Sequence, residues 1–448
     1  MYRKDSVIIA EWLNSSNKAL LVTGARQIGK TWLIRDEIAK SDYVKFEINF
    51  IDQPEMVEYL NAEMSADEFL IKLKMIMPKE CKPRKTVVFF DEIQKCPEIV
   101  TKIKFLVDEG SFKYIMSGSL LGVELRGIAS APVGYLSILK MYPMDFEEFM
   151  TANGISQATL EMLKEKFETV TPIEEFIHQK LLSVFFVYLI VGGMPEAVKT
   201  YVKTKDIREV DKILRDITML YKEDFSQYEH EDRKLKLKSI YDIIPAELNK
   251  QNKKFVFTML DKELKFDRYE NSFLWLKDAG VALPVYNVDA PVIPLLASKS
   301  SNVFRLFSND IGLLTSAYPA ETKIELISKN CDVNNGAHFE NMVAQQLTAN
   351  GLEPFYYKKK NVGEVDFVVE INGKIVPIEV KSRKSYKAHK ALDNLVGIPE
   401  YHIEQAYVLS IGNIETSGKV TYLPVYMCYL LKNRQLEQMI VDLDVSGL

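Results

Sequence analysis

The sequence predicts an α/β multidomain protein, with a parallel-sheet core at its N-terminal end, a helical stretch, and a second α/β unit at its C-terminal end. Three observations predict it. Up to about residue 145, short apolar runs ("ALLVTG", "YVKFEINF", "KTVVFFDE", "FKYIMSGS") alternate with helical segments, the pattern of a parallel sheet wrapped by helices. From 146 to 228 the pattern turns helical, with "EEFIHQKLLSVFFVYLIVGG" and "DIREVDKILRDITMLYKEDF" as its clearest elements. After about 325 a helix, "GAHFENMVAQQLTANG", leads into the hairpin "GEVDFVVEINGKIVPIEVKS" and further α/β pattern. A chain of 448 residues is too long for one core and accords with two to four domains. The expected division is a sheet core over 1–150, a helical lid over 151–228, a small module over 229–322 and a C-terminal α/β domain over 323–448.

Composition narrows the function. With 47% apolar and 27% charged residues the chain can bury a sizeable core. A net charge of −5 excludes a global basic field, so any attraction to nucleic acid must come from local patches. The four cysteines (Cys81, Cys96, Cys331, Cys428) form no CxxC pair and have no histidine at metal spacing, which predicts free thiols in a reducing compartment. The apolar run over 181–194 is too short to span a bilayer, and "MYRKDSVIIAEWLNSSNK" has no cleavable apolar core. A cytoplasmic protein without a membrane partner is expected.

The first core strand ends in "LLVTGARQIGKT", which matches G-x-x-x-x-G-K-[ST] from Gly24 through Gly29, Lys30 and Thr31, and a helix follows at once. Glycines let backbone N–H groups close around phosphate oxygens at a helix N-terminus. The segment Gly24, Ala25, Arg26, Gln27, Ile28, Gly29, Lys30, Thr31 and Trp32 is therefore expected to cradle ATP, Lys30 reaching the β/γ-phosphates and Thr31 ligating Mg²⁺. The apolar run "KTVVFFDEIQK" ends in Asp91 and Glu92, at the end of the sheet where open α/β folds bind ligands. Asp91 would hold Mg²⁺, and Glu92 would orient or deprotonate the attacking water. A third run ends in Ser117 and Ser119; Ser117 would sense the γ-phosphate or simply form a turn.

These elements together resemble the AAA+ class of P-loop ATPases. More narrowly, "TGARQIGKT", "VVFFDEIQ", "SGSL", "YPMDFEEF" and "VGGMPEAV" resemble a prokaryotic family of ATPases whose second half is a domain of unknown function called DUF4143. The resemblance covers nearly the whole chain and implies an AAA+ ATPase core over 1–150. An arginine finger is harder to place, because Arg126 is the single arginine between the third strand and "MYPMDF" and reads better as a surface residue than as a finger. In "GGMPEAV" the glycines are expected to end one helix and Pro195 to begin the next, with Glu196 complementing the new helix's dipole.

The module over 229–322 reads as helix, turn, helix, helix and strand, and looks like a winged helix-turn-helix. Its segment 231–268 has ten Lys/Arg against seven Asp/Glu, a small excess that fits DNA contact through 231–280 and a structural or protein-docking role equally well. A recognition helix near 268–279 would offer Arg268, Asn271 and Lys277. The same helix contains Phe273, Leu274, Trp275 and Leu276, which call for a core.

In the C-terminal hairpin, counting outward from Asn372 and Gly373 sets Asp366 opposite Glu379, and like charges facing each other destabilise a strand pair. Lys381 lies two residues on, on the face of Glu379. Glu340 sits on a helix whose Phe339, Met342, Val343 and Leu347 pack down, so its carboxylate can reach the sheet. This arrangement resembles the PD-(D/E)XK nucleases, whose restriction-endonuclease-like fold implies Mg²⁺ or Mn²⁺ held by Glu340, Asp366 and Glu379, with Lys381 assisting phosphodiester hydrolysis. Residues 358–390 carry nine Lys/Arg against four Asp/Glu, the sign expected of a DNA-binding surface. The alternative is a charged ladder in which Lys381 pairs with Glu364. His338, two residues before Glu340, is expected on the surface. Two functions follow: an ATPase coupled to a nuclease-like DNA-binding or DNA-cleaving domain, or a nucleotide-dependent switch that engages a protein partner and cuts nothing. Oligomeric state is left open by the sequence.

Overall fold

The computed structural model describes residues 1–60, 64–119, 134–227, 231–250, 255, 270–329 and 335–434. Arg126, Arg268 and Cys331 lie outside them, as does most of the stretch 251–269 of the module read as helix, turn, helix, helix and strand. Cys81, Cys96 and Cys428 are free thiols. Among the described residues, no helix is long and apolar enough to cross a membrane.

The N-terminal core is a five-stranded, all-parallel sheet in the order β2-β3-β4-β1-β5, built from β1 (Ala19–Thr23), β2 (Val44–Asn49), β3 (Thr86–Asp91), β4 (Lys113–Gly118) and β5 (Leu136–Lys140). All six residues of β3 are buried. That explains its continuous apolar run: a central parallel strand is covered on both faces and needs no alternation. Phe69 and Leu73 of helix Ala66–Ile76, with Ile99 and Ile103 of helix Glu98–Glu109, cover one face. Ile34 and Ile38 of helix Lys30–Ala39, with Ile9 and Leu13 of helix Asp5–Ser15, cover the other. Because the strands are parallel and in register, the carboxyl ends of β1, β3 and β4 fall side by side, which brings the Gly24 loop, Asp91 and Ser117 to one edge.

Helices follow. The longest apolar one, Glu175–Val191, exposes its first turns but from Leu181 on is buried almost all round, with Leu181, Leu182, Phe185, Phe186, Tyr188, Leu189, Ile190 and Val191 inside. It is thus a central strut, as a helix without a polar face must be. It stops at Gly192, and Pro195 opens helix Pro195–Thr204, as the sequence implies.

The second sheet has eight strands in the order β12-β13-β11-β10-β9-β8-β6-β7. They are β6 (Ala282–Val288), β7 (Lys299–Ser308), β8 (Phe355–Lys359), β9 (Gly363–Ile371), β10 (Lys374–Val380), β11 (Ala406–Ser410), β12 (Glu415–Ser417) and β13 (Val420–Pro424). Here the structure departs from expectation. The strand read as closing a small module is β6, and it pairs in parallel with β8 (Tyr286↔Phe355, Val288↔Tyr357). One sheet therefore runs across the 322/323 boundary. The physical reason is burial: Val285, Val288, Phe304, Leu306 and Phe307 of β6 and β7 are all inside, more than an isolated hairpin can cover. The helix expected to read DNA is Glu270–Asp278, whose Phe273, Trp275 and Leu276 are buried, so its apolar residues decide its place.

The β9–β10 hairpin turns at Asn372 (φ 53°) and Gly373 (φ 71°). Its register, Lys374↔Ile371 through Ile378↔Phe367, sets Glu379 opposite Asp366 at the next step, as counted from the sequence. Helix Gly336–Ala349 packs Phe339, Met342, Val343 and Leu347 inward.

Candidate functional site

The loop between β1 and helix Lys30–Ala39 is a tight cradle. Gly24 has φ 137°, and a Cβ there would lie 2.4 Å from the Met141 carbonyl oxygen, so glycine is required. Ile28 is wholly buried beneath the loop, Gln27 is exposed, and Trp32 is 48% exposed. Ile28 thus acts as core, while the backbone around it forms the cradle. The Lys30 ammonium is folded back onto its own loop, donating to the carbonyl oxygens of Gly24 (2.9 Å) and Ala25 (2.7 Å). Burial pushes its pKa down to about 8, against the pull of Glu92 and Asp91.

Asp91, 2% exposed at the end of β3, is held by neutral donors alone. Thr31 Oγ1 lies 3.0 Å from each of its oxygens, Asn49 Nδ2 donates at 3.1 Å and Ser117 Oγ donates to Oδ1. Burial raises its pKa, and the Ser117 and Thr31 hydrogen bonds draw it back. Ser117 is therefore aimed at Asp91. Glu92 sits in the left-handed region (φ 57°), and its carboxylate accepts a hydrogen bond from Gln94 Nε2.

From there a chain of contacts leaves the core. Gln94 Nε2 and Arg26 Nε both lie 3.4 Å from Ser119 Oγ, and Arg26 Nη1 forms a 2.6 Å ion pair with Asp224 on helix Ile207–Gln227. Tyr221, one turn earlier, donates to the Arg26 carbonyl at 3.0 Å. Gly280, just past helix Glu270–Asp278, lies close enough that a Cβ would be 3.2 Å from Ala25 N. Arg26, Ser119, Tyr221, Asp224 and Trp275 line a small cavity of about 10 Å³. Burial pushes Asp224 up to about 6, against the pull of Arg26. Sequence reasoning missed Asn49, Gln94, Tyr221 and Asp224. Asn49 alone left a signal, a polar residue closing the β2 run beside β3.

The C-terminal acids also come together, but around a cation that the sequence did not announce. Arg305 of β7 is 1% exposed. Its Nη1 lies 3.5 Å from Glu340 and 3.6 Å from Asp366, and its Nη2 pairs with Glu364. The guanidinium lies 4.5 Å from the centre of the Tyr356 ring. Burial works against its charge, but Glu340, Asp366 and Glu364 hold its pKa above the ordinary value. Asp366 also accepts from Val380 N at 3.0 Å. Lys381 pairs with Glu379 at 2.7 Å, and Lys358 pairs with Glu364. The ladder of Lys381 with Glu364 is thus not formed. Burial first, then Asp366, raises the pKa of Glu379. Among the described residues, no three acidic, histidine or cysteine side chains converge on a point that could hold a metal ion. His338 is 2% exposed rather than on the surface, its ring 4.6 Å from that of Tyr318, and burial pushes its pKa down to about 4.

Four of the nine basic residues in 358–390 are in ion pairs: Lys358 with Glu364, Lys374 with Glu404, Lys381 with Glu379, and Lys387 with Glu415.

Comparison with known proteins matches three stretches of the chain to family models. An AAA domain matches residues 16–150, a domain of unknown function (DUF8612) matches 183–324, and another (DUF4143) matches 335–427. No curated protein matches the chain in sequence. Similar solved structures include the Walker-type ATPase PABY2304 of Pyrococcus abyssi, at 14% identity and a TM-score of 0.41, covering 70% of this chain and 95% of that one. The RuvB Holliday junction branch migration motor of Thermotoga maritima aligns at 15% identity and a TM-score of 0.29, covering 63% and 89%. AMPPCP-bound DnaA of Aquifex aeolicus aligns at 12% identity and a TM-score of 0.30, covering 62% and 89%. The chain thus joins an AAA-type, P-loop ATPase-like domain near its N-terminus to a DUF4143 domain near its C-terminus, as its sequence motifs imply.

Proposed function

We propose that the chain binds MgATP at the Gly24–Thr31 loop, hydrolyses it, and uses the cycle as a switch that engages a protein partner. The observation that carries this reading is the pairing of Thr31 and Asp91 at 3.0 Å beneath a cradle that a Cβ at Gly24 would fill. A hydroxyl and a carboxylate supported only by neutral donors are a donor set suited to Mg²⁺, which prefers hard oxygen ligands. Thr31 and Asp91 would hold that ion, whose chemistry is to neutralise charge on the phosphates. Lys30 leaves the Gly24 and Ala25 carbonyls to meet the phosphates, and Gln94 holds Glu92 until water is to be oriented. Phosphates entering the cradle also draw on Arg26, which is held by Asp224. Releasing that ion pair would pass the state of the loop to helix Ile207–Gln227, and this supports a switch.

The other reading, a nuclease-like domain that binds or cuts DNA through 231–280 and 358–390, has less support. Lys358 and Lys381 are already paired, and the helix over 270–278 faces the core. Two assays separate the readings. Lys30→Ala and Glu92→Gln should each lower ATP turnover ~100-fold or more; turnover like that of the parent would overturn the site assignment. Nicking of circular DNA that needs Mg²⁺ and vanishes in Asp366→Ala would restore the nuclease reading.

A further inference from the structure

We propose that Arg305 is the resident cation of the C-terminal acid cluster, standing where a nuclease of this resemblance would hold a divalent metal, and that the cluster binds no such ion. Glu340 comes from a helix, Glu364 and Asp366 from β9 and Glu379 from β10. Arg305 comes from β7, where it is set in register opposite Val285 of β6. Its planar fork serves three of the four acids at once, which a point charge on a flexible stem cannot do. Tyr356 covers one face of the guanidinium, so the cation is seated by packing as well as by charge.

Charge and geometry both argue against a dication beside it. Arg305, Lys358 and Lys381 already answer the four carboxylates with three positive charges. A metal would leave the buried guanidinium facing added positive charge with nowhere to go, and an uncompensated buried ion is strongly disfavoured. Glu379 keeps one oxygen without a hydrogen-bond partner, but a single free oxygen is not the near-octahedral set that Mg²⁺ demands. The acids point to Arg305 and Lys381 rather than to a shared point, in keeping with the lack of a three-ligand cluster among the described residues.

The test is Mn²⁺ titration of the full-length, nucleotide-free chain, followed by electron paramagnetic resonance. The parent and Asp366→Asn should bind the same number of ions, with affinities within about twofold of each other. Arg305→Met, if folded by circular dichroism, should gain one ion, and Arg305→Met with Asp366→Asn should lose it again. A parent that holds one Mn²⁺ more than Asp366→Asn or Glu379→Gln overturns the proposal, as does a folded Arg305→Met that gains none. If Arg305→Met does not fold, the comparison of the parent with Asp366→Asn decides alone.

Discussion

The two ends of the molecule each bury acids at the edge of a sheet, and they stabilise them by opposite means. Asp91 is surrounded by a threonine, an asparagine and a serine, all neutral, so its negative charge remains available. Glu340, Glu364, Asp366 and Glu379 are surrounded by Arg305, Lys358 and Lys381, so their charge is largely answered within the chain. What separates a site ready for a cation from one already filled is therefore the charge of the neighbours. Counting the acids does not reveal it, and by that count the C-terminal cluster looks the richer metal site.

Stability measurements give the largest contrast. Arg305→Ala removes a buried cation from three partners and should cost ~3–5 kcal/mol, because breaking a buried pair strands its charge. Thr31→Val removes one neutral hydroxyl from Asp91 and should cost ~1–3 kcal/mol. Urea unfolding of the two variants checks this. Equal losses would mean that the two acid sites are held by interactions of the same kind, and the contrast would fail. Adding Glu364→Gln to Arg305→Ala should recover part of the loss, since fewer acids are then left bare.

The second contrast is functional. Ser117 donates to Asp91 from β4 and so orients the carboxylate. Ser117→Ala should weaken Mg²⁺-dependent nucleotide binding by ~10–100-fold, the usual effect of losing a partner that orients a ligand. Nucleotide affinity measured in EDTA should hardly change. The same loss with and without Mg²⁺ would show that Ser117 supports the loop as a whole instead of Asp91.

How much of this the sequence reveals depends on whether the partners are local. Gly24 through Thr31 lie on one turn, and Asp91 ends a strand whose apolar run makes its depth obvious. The facing of Asp366 and Glu379 follows from a two-residue turn, since a tight hairpin fixes the register of both its strands. Arg305 is hidden because its partners depend on the order of distant strands. Only the arrangement β9-β8-β6-β7 brings it over Tyr356 to Glu364, 59 residues later. In "SSNVFRLFS" it reads as an outward charge between apolar neighbours. The same holds for Asp224, which is 198 residues from Arg26 and sits on a helix where Glu209, Asp216 and Glu223 are exposed.

That Arg26–Asp224 pair gives the smallest and most conditional effect. Arg26 is about a quarter exposed and Asp224 nearly buried, so the pair holds Arg26 by the energy of a screened surface bridge, up to ~1 kcal/mol. Freed from Asp224, Arg26 can turn to the phosphates, and Asp224→Asn should tighten ATP binding about two- to fivefold at pH 7.5. The sign with pH follows from the raised pKa of Asp224, about 6. Above that value the carboxylate is ionised and holds Arg26; below it the proton cancels the charge and the hold is lost. The gap between parent and Asp224→Asn, read by calorimetric titration with ATP, should therefore close as pH falls from 7.5 to 5. If Asp224→Asn binds ATP more weakly than the parent at pH 7.5, Asp224 orients Arg26 toward the nucleotide instead of restraining it. The ion pair would then belong to the bound state of the switch and not to its resting state.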